Sequence, residues 1–285
     1  MAAAHQGRIP SAVNLAYMPR LSVPNADAYL RAAASRSARA RRRFQCTLDV
    51  PYGSSAGERL DIFPARHKSS PVHVFIHGGY WRALDKHYYS FVAPPLVAAG
   101  ATVVLPNYDL CPRVGIEDIV DQMRRALVWI YRNIRKHGGD PTRIFVSGHS
   151  AGGHLTAMML ATPWAKHGLP RDFIKGAACL SGVFDIRPLR RSQLQPDIRL
   201  TATKARALSP MLLPPVSNCS VLLAVGELES HQFHWQSLAF GAHLRKHGVA
   251  SAYLSTSHDN HFSIVDRLQS RHHPLSRLLT DQMGL

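Results

Sequence analysis

The sequence is poor in the features that mark disulfide-rich, metal-binding and membrane-spanning proteins. Its 285 residues include only four cysteines, which lie far apart and show no CxxC or Cys/His ligand spacing, so we expect buried or free thiols and no metal site. No apolar run approaches the length of a membrane span. The N-terminal residues also lack the long apolar core and A-x-A site of a signal peptide. These absences lead us to expect a cytoplasmic protein with no membrane partner.

Acidic residues are also scarce, since 18 Asp and Glu stand against 34 Lys and Arg, a formal net charge of +16 at pH 7. Such an excess is typical of nucleic-acid-binding proteins, but no basic and aromatic motif accompanies it here. Part of the excess lies in residues 31–43, RAAASRSARARRR, within an N-terminal arm over residues 1–45 that has helical potential from Asn25 to Arg43. A solvated helix face or a contact with another subunit explains this arm, so we expect no nucleic-acid partner and leave a homodimer open.

From residue 46 onward, short apolar runs alternate with helical patterns, which predicts an α/β domain over residues 46–285. The predicted strands are Phe44–Val50, Arg59–Phe63, Pro71–Ile76, Ala101–Pro106, Arg143–Ser147, Ile174–Leu180, Val221–Val225 and Ala250–Ser255. The predicted helices are Tyr88–Ala99, Ile116–His137, Ala151–Ala161 and Phe233–His247. This alternation predicts a mostly parallel central sheet with helices on both faces. Residues 184–215 interrupt this alternation of strands and helices and are polar and Arg-rich, so we expect a small lid insertion there.

The motif Gly148-His149-Ser150-Ala151-Gly152 fits G-x-S-x-G and lies between a predicted strand and a predicted helix. In the α/β-hydrolase fold this context holds a nucleophilic serine on a strained turn above the sheet. Glycines flank the serine because the strand-to-helix turn leaves no room for side chains. The helix N-terminus behind the turn favours developing negative charge. Ser150 is therefore the candidate nucleophile.

A second motif, His77-Gly78-Gly79-Tyr80-Trp81, follows the strand Pro71–Ile76. An α/β hydrolase places its oxyanion loop at this point. The small residues Gly78 and Gly79 let backbone N–H groups point at an acyl oxygen. The predicted donors are the N–H groups of Gly79 and Tyr80, joined by that of Ala151 after the nucleophile. We expect His77 to orient the loop.

A serine hydroxyl needs a base, and the base needs an orienting acid; in this fold they follow in the order Ser, acid, His. After the strand Val221–Val225, the sequence offers Glu227 and Glu229. We favour Glu229 because the acid of this fold commonly lies three residues past a glycine that closes the strand. The loop after the last strand offers His258 and His261. We favour His261, which stands just before a helical stretch, and keep Glu227 and His258 as alternatives.

Taken together, HGGYW, GHSAGGHL, VGELES followed by F-x-x-Q, and NHFSIVD resemble the kynurenine formamidase (arylformamidase) branch of the α/β hydrolases. The resemblance runs from about Tyr52 to the C-terminus. It implies a triad of Ser150, Glu229 and His261, with the oxyanion loop at Gly78–Tyr80. The related acid is often Asp, whereas here it would be Glu. The basic arm has no counterpart in this resemblance.

The expected chemistry is a two-step acyl transfer on a small-molecule substrate, without metal or cofactor. The resemblance implies an aryl formamide such as N-formylkynurenine, a substrate of tryptophan catabolism. A carboxylesterase acting on short acyl esters is the alternative, and a catalytically silent ligand-binding protein is the alternative from another class. Candidate substrate contacts are Tyr80, Trp81, His149 and Phe233, with Tyr108 and Trp235 also near the motifs. Arg190 and Arg191 in the lid segment are candidates for meeting a substrate carboxylate.

Overall fold

A mostly parallel sheet of eight strands lies at the centre of the molecule, of which a computed structural model describes residues 11–285. The strands are β1 (Thr47–Pro51), β2 (Arg59–Phe63), β3 (Ser70–Ile76), β4 (Thr102–Pro106), β5 (Gly139–His149), β6 (Ile174–Leu180), β7 (Ser220–Gly226) and β8 (Ser251–Thr256). Their order is β1-β2-β4-β3-β5-β6-β7-β8; β2 is antiparallel to β1 and to β4, and the other pairs are parallel. Parallel pairs require crossovers, which the helices supply.

The helices cover both faces of this sheet, as the alternating sequence pattern predicts. They are α1 (Ala12–Tyr17), α2 (Ala26–Arg43), α3 (Ala93–Ala99), α4 (Ile116–Asn133), α5 (Ala151–Leu160), α6 (Gln195–Ile198), α7 (Ala202–Ala207), α8 (His231–Lys246) and α9 (Pro274–Met283). Apolar residues of α4, α5 and α8 share one core, whereas those of α2, α3 and α9 share a second. The structure thus has the predicted mostly parallel central sheet with helices on both faces.

Each central strand contributes side chains to both cores, because successive residues of a strand point to opposite faces. In β7, Val221, Leu223 and Val225 lie in the first core, and Leu222 and Ala224 lie in the second. Burial on both faces explains why this strand reads as a continuous apolar run. The sheet is therefore a rigid base for the loops that follow its strands.

The helix predicted at residues 88–99 is shorter in the structure. It begins at Ala93, and two 3₁₀ turns, Lys86–Tyr88 and Ser90–Val92, precede it. Pro94 and Pro95 explain this start, since proline is tolerated only in the first turn of a helix. Strand β5 is longer than predicted because its first residue, Gly139, still pairs with β3.

Residues 184–215 form short helical turns whose apolar side chains lie in the first core. The turns are Arg187–Arg191, α6, α7 and Pro210–Leu212, and Phe184 stacks on Phe240 of α8 with ring centroids 4.3 Å apart. This segment thus packs against α5 and α8.

The N-terminal arm contains helices α1 and α2; the predicted arm residues 1–10 lie outside the described residues. Arg41 donates to the carbonyl of His87 and to Ser90 Oγ, both at 2.8 Å, and Arg36 pairs with Asp266. Some of the arm's positive charge is therefore engaged with the hydrolase domain. Within residues 11–285, no helix combines the length and the apolar character needed to cross a membrane.

Candidate active site

Ser150 lies at the turn between β5 and α5, with φ 57° and ψ −117°. The turn is tight: a Cβ on Gly148 would lie 2.2 Å from the carbonyl oxygen of Gly152, and a Cβ on Gly152 would lie 2.0 Å from that of Ile76. Only glycine fits these two positions, which explains the G-x-S-x-G spacing. The backbone N–H of Ser150 donates to Leu180 O at 2.8 Å, which ties the strained turn to the neighbouring strand.

His261 lies in the loop after β8 and connects Ser150 to a carboxylate. Its Nε2 is 3.0 Å from Ser150 Oγ, and its Nδ1 is 2.6 Å from Glu229 Oε2. The His261 and Glu229 side chains are only 5% and 1% exposed. A carboxylate can only accept, so Nδ1 carries the proton and Nε2 is left to accept the serine hydroxyl.

Glu229 is fixed by two further donors. Its Oε1 accepts from Ser181 Oγ at 2.5 Å and from the N–H of Gly226 at 2.8 Å. Sequence reasoning missed Ser181, whose only signal is its position directly after β6. The alternative acid, Glu227, is exposed and accepts instead from the backbone N–H of His258, 2.7 Å away. The structure therefore brings Glu229, and not Glu227, to His261.

The loop of His261 is braced from behind by the buried Asp259. This carboxylate accepts from Arg267 at 2.8 Å and from Ser263 Oγ at 2.8 Å. The ring of Phe233 packs 4.8 Å from that of His261, centroid to centroid. These contacts hold the imidazole in place without occupying either of its nitrogens.

The predicted oxyanion loop lies against Ser150. Gly79 has φ 122°, and a Cβ there would lie 1.9 Å from the carbonyl oxygen of Ala83, so glycine is required. Tyr80 follows with φ 50°. Gly78 also passes close to the nucleophile, since a Cβ on it would be 3.1 Å from Ser150 Cβ.

The backbone N–H groups of Gly79, Tyr80 and Ala151, near Ser150, have no acceptor among residues 11–285. The N–H of Ala151 is free because the first residue of a helix has no intrahelical acceptor. Unpaired donors beside a nucleophile are what an oxyanion hole requires.

His77 anchors the oxyanion loop from below. Its Nδ1 donates to the carbonyl of Gly78 at 2.8 Å, and its ring stacks on Tyr108 with centroids 4.1 Å apart. The hydroxyl of Tyr108 donates to the carbonyl of His77 at 2.9 Å. Burial lowers the pKa of His77 to about 4, and its Nε2 lies 3.1 Å from Asn107 Oδ1. These contacts tie His77 to the loop, and its loop-orienting role stays a prediction.

A cavity of about 120 Å³ opens above Ser150. Of the candidate substrate contacts, Tyr80 and His149 line this cavity beside Ser150 and His261. Trp81 is not among the lining residues; it is fully buried, and its ring meets that of His154 edge to face at 4.9 Å. Of Tyr80 and Trp81, only Tyr80 is therefore accessible to a ligand in this cavity.

His149 and Tyr80 each present an unsatisfied polar atom. His149 Nε2 donates to the carbonyl of His261 at 2.8 Å, while its Nδ1 has no partner among the described residues. Burial, together with the nearby His261, holds the pKa of His149 well below its usual range. The hydroxyl of Tyr80 is buried without a partner inside the same part of the chain. Burial and then the Glu229 carboxylate raise the pKa of Tyr80, so it stays a neutral donor.

The other candidates lie away from the cavity. Phe233 packs behind His261, Tyr108 is buried below the oxyanion loop, and Trp235 is 46% exposed on α8. Arg190 and Arg191 line a separate surface depression with Asp185 and Arg187.

The roof of the cavity comes from the N-terminal arm, which sequence reasoning did not connect with the site. Met18, Pro19, Arg20 and Leu30 line it, whereas no residue of the segment 184–215 does so among those described. The lid role of 184–215 therefore stays a prediction. The arm contains no sequence motif that predicts contact with the active site. Its one recognisable pattern, the run of arginines, lies at the C-terminal end of α2.

Comparison with known proteins agrees with this geometry. A family model described as the alpha/beta hydrolase fold matches residues 73–263. This chain belongs to the α/β-hydrolase family. The hydrolase is 32% identical over 276 residues to a kynurenine formamidase of Danio rerio, covering 94% of this chain and 92% of the relative. It is 34% identical over 254 residues to a kynurenine formamidase of Salmo salar, with coverages of 86% and 85%.

Among solved structures, the hydrolase resembles a protein from Silicibacter sp. TM1040 that was provisionally assigned as a thioesterase. The TM-score is 0.83 at 28% identity, covering 93% of this chain and 97% of that one. The esterase LipQ of Mycobacterium tuberculosis is 28% identical over 84% of this chain and 62% of its own length. The chain is thus a hydrolase similar to kynurenine formamidases, with esterases among its relatives.

Proposed function

We propose that this hydrolase removes a small acyl group from an aryl formamide, with N-formylkynurenine or a close analogue as substrate. The single observation that carries the proposal is the bonded chain of Ser150, His261 and Glu229 beside three free N–H groups. This is the arrangement that acyl transfer through a serine requires. The sequence similarity of this chain to the kynurenine formamidases supports the choice of substrate.

In the proposed first step, Ser150 Oγ attacks the formyl carbon while its proton passes to Nε2 of His261. The carbonyl oxygen becomes an oxyanion that accepts from the N–H groups of Gly79, Tyr80 and Ala151. When the tetrahedral intermediate collapses, the C–N bond breaks and His261 returns the proton to the departing amine. Glu229 does not take the proton; it holds the imidazole tautomer and stabilises the imidazolium.

In the proposed second step, water attacks the formyl ester on Ser150 and gives its proton to His261. The ester bond breaks, formic acid leaves and ionises to formate in solvent, and the proton held by His261 returns to Ser150 Oγ. The cavity measures about 120 Å³, less than the roughly 150 Å³ of a cavity that holds benzene, so it has room for a one-carbon acyl group and the larger leaving group would extend beyond it.

A carboxylesterase on short acyl esters is the second candidate. The esterases among the relatives favour it, and the mechanism would be the same except that an alcohol leaves instead of an amine. The ligand-binding alternative without catalysis is disfavoured because every group of the catalytic set is present and bonded.

The test is kcat/KM for N-formylkynurenine beside p-nitrophenyl acetate, in the wild type and in Ser150→Ala. A strong preference for the formamide, lost in the variant, supports the proposal. Turnover of the ester alone, also lost in the variant, would replace it by the carboxylesterase. Equal inactivity of both proteins on both substrates would favour the ligand-binding alternative.

We also propose a cytoplasmic location, a small molecule as the partner, no nucleic-acid or membrane partner, and a homodimer as the oligomeric state to be tested. Light scattering on the purified chain measures the mass in solution. A salt-dependent shift of DNA on a gel would contradict the absence of a nucleic-acid partner.

A further inference from the structure

Two arginines, Arg20 and Arg82, line the cavity above Ser150, and no lysine or other arginine among the described residues does so. Arg20 comes from the N-terminal arm and Arg82 from the end of the oxyanion loop, and both line the cavity that contains Ser150. We propose that Arg20 and Arg82 form an anion-binding rim that selects substrates whose leaving group carries a carboxylate. This inference rests on the proposed acyl transfer at Ser150 and assigns two residues that select its substrate.

Apart from these two arginines, no lysine or arginine that could attract a carboxylate lines the cavity among the described residues. Its lining includes no aspartate or glutamate among the described residues, and Met18, Leu30 and Leu84 make its interior apolar. An anion placed against those side chains would lose its hydration without compensation. A substrate with an apolar body and an anionic end therefore fits only with that end at the arginines.

Both arginines are partly engaged but not used up. One nitrogen of Arg20 lies 2.8 Å from Asp27, and these side chains are 55% and 63% exposed. Arg82 pairs with Asp197, and both are about one-third exposed. A guanidinium has five N–H donors in a fixed fork, so one contact leaves others for a ligand. Exposed ion pairs are weak, so a substrate carboxylate can compete with these partners.

The carboxylate belongs on the leaving group for a reason of size. The proposed acyl group has one carbon and stays at Ser150 under the oxyanion donors. The leaving group is then the only part of the substrate long enough to reach the rim. The formal net charge of +16 acts in the same direction, because a positive field raises the rate at which anions reach the cavity.

Arg190 offers a matched control. Like its neighbour Arg191 it is exposed and cationic, but it lines the depression with Asp185, away from Ser150. If overall charge alone attracted anionic substrates, Arg190→Gln would weaken the effect as much as a change at the rim. If the rim is a site, Arg190→Gln leaves the preference as it is.

The experiment compares 4-acetoxybenzoate with its neutral methyl ester, methyl 4-acetoxybenzoate. The ratio of the two kcat/KM values is measured for the wild type, Arg20→Gln, Arg82→Gln, Arg82→Lys and Arg190→Gln. Differences in intrinsic reactivity cancel because every protein sees the same pair. Thermal melting of each variant checks that it is folded.

We expect the ratio to fall about two- to fivefold in Arg20→Gln and in Arg82→Gln, the size of one partly exposed charge interaction. Arg82→Lys should keep most of the ratio, and 0.5 M salt should lower it in the wild type. A ratio that neither rim variant changes, or one that Arg190→Gln lowers equally, would overturn the proposal. Failure to hydrolyse N-formylkynurenine, with the charge preference intact, would instead overturn only the formamidase assignment.

Discussion

The cavity above Ser150 has two walls that are built in different ways. The strand-end wall includes Ser150 and His261, which follow β5 and β8; Glu229, which follows β7, supports His261 from behind. Hydrogen-bonded parallel strands hold this wall; the side chains of β7 are buried on both faces, whereas most of those of the edge strand β8 are exposed or half-buried. The arm wall consists of Met18, Pro19, Arg20 and Leu30.

A few side-chain contacts hold the arm wall to the loops of the strand-end wall. Tyr17 donates to Gln232 at 3.1 Å, and Tyr29 accepts from Asn260 at 3.2 Å. Ser230, directly after Glu229, donates to the carbonyl of Ala16. The comparison suggests a division of labour in which the strand-end wall performs the chemistry and the arm wall determines what fits.

The largest expected effect comes from the strand-end wall. Glu229→Gln removes the negative charge that stabilises the imidazolium, so kcat/KM should fall about 10³- to 10⁴-fold. Glu227→Gln is the matched control two residues away, and it should leave kcat/KM within about twofold, because surface changes away from the site are nearly neutral. Steady-state kinetics on p-nitrophenyl acetate measures both. Equal losses in the two variants would remove Glu229 from its proposed role.

A second change acts on the oxyanion loop. Gly79→Ala introduces a Cβ that would lie 1.9 Å from the carbonyl oxygen of Ala83 at a residue with φ 122°. The loop must shift its N–H donors, and kcat should fall at least about 100-fold, the cost of one lost oxyanion donor. Gly138→Ala is the control, since that glycine also has positive φ but meets nothing within 4 Å. Circular dichroism checks the fold of both; full activity in Gly79→Ala would contradict the assigned loop.

A third prediction concerns acid, which should weaken the sheet that supports the strand-end wall. Burial lowers the pKa of His73, on β3, from 6.5 to about 4. Between these pH values the unfolded chain binds a proton that the folded chain does not, so the free energy of unfolding falls as pH falls from 6.5 towards 4. At pH 5 this histidine alone should cost about 2 kcal/mol.

Urea unfolding at pH 7 and pH 5 measures this loss of stability. His154 and His77 behave in the same way, since burial lowers the pKa of each to about 4. The loss between the two pH values should be smaller in His73→Gln than in the wild type. An equal loss in both proteins would mean that His73 is not kept neutral by the fold.

The smallest effect is expected from the arm wall. Met18 is 5% exposed and lines the cavity, so Met18→Ala should enlarge it. We expect kcat/KM for p-nitrophenyl butyrate relative to acetate to rise about two- to fivefold, a fraction of the discrimination that a fitted pocket gives one methylene. Leu21→Ala is the control, since Leu21 is 42% exposed and lies outside the cavity lining. An unchanged ratio in Met18→Ala would break the proposed division of labour.

The two walls also differ in how far the sequence predicts them. The turn at Ser150 leaves no space for a side chain at Gly148, where a Cβ would lie 2.2 Å from the carbonyl oxygen of Gly152, four residues along the chain. Such local requirements leave motifs, so the fold, the nucleophile turn and the preference for Glu229 and His261 follow from the sequence. Glu229 also illustrates a local rule, because Gly226, three residues earlier, donates its N–H to that carboxylate.

The arm wall depends on contacts between distant residues, which leave no local pattern. Tyr17 accepts from Gln236, which lies 219 residues away. Ser181 is similar, since it reaches Glu229 only because β6 and β7 are neighbours in the sheet. Trp81 shows the opposite problem: its place beside a motif suggested a substrate contact, yet tertiary packing buries it against His154.

The most direct test of the central claim is covalent labelling of Ser150 by a fluorophosphonate. Intact-protein mass spectrometry followed by peptide mapping locates the adduct and gives its rate of formation. We predict a single adduct on Ser150 in the wild type, and a labelling rate that falls at least about 100-fold in His261→Ala, because general-base help is lost. An adduct on another residue, or an unchanged rate in His261→Ala, would contradict the account.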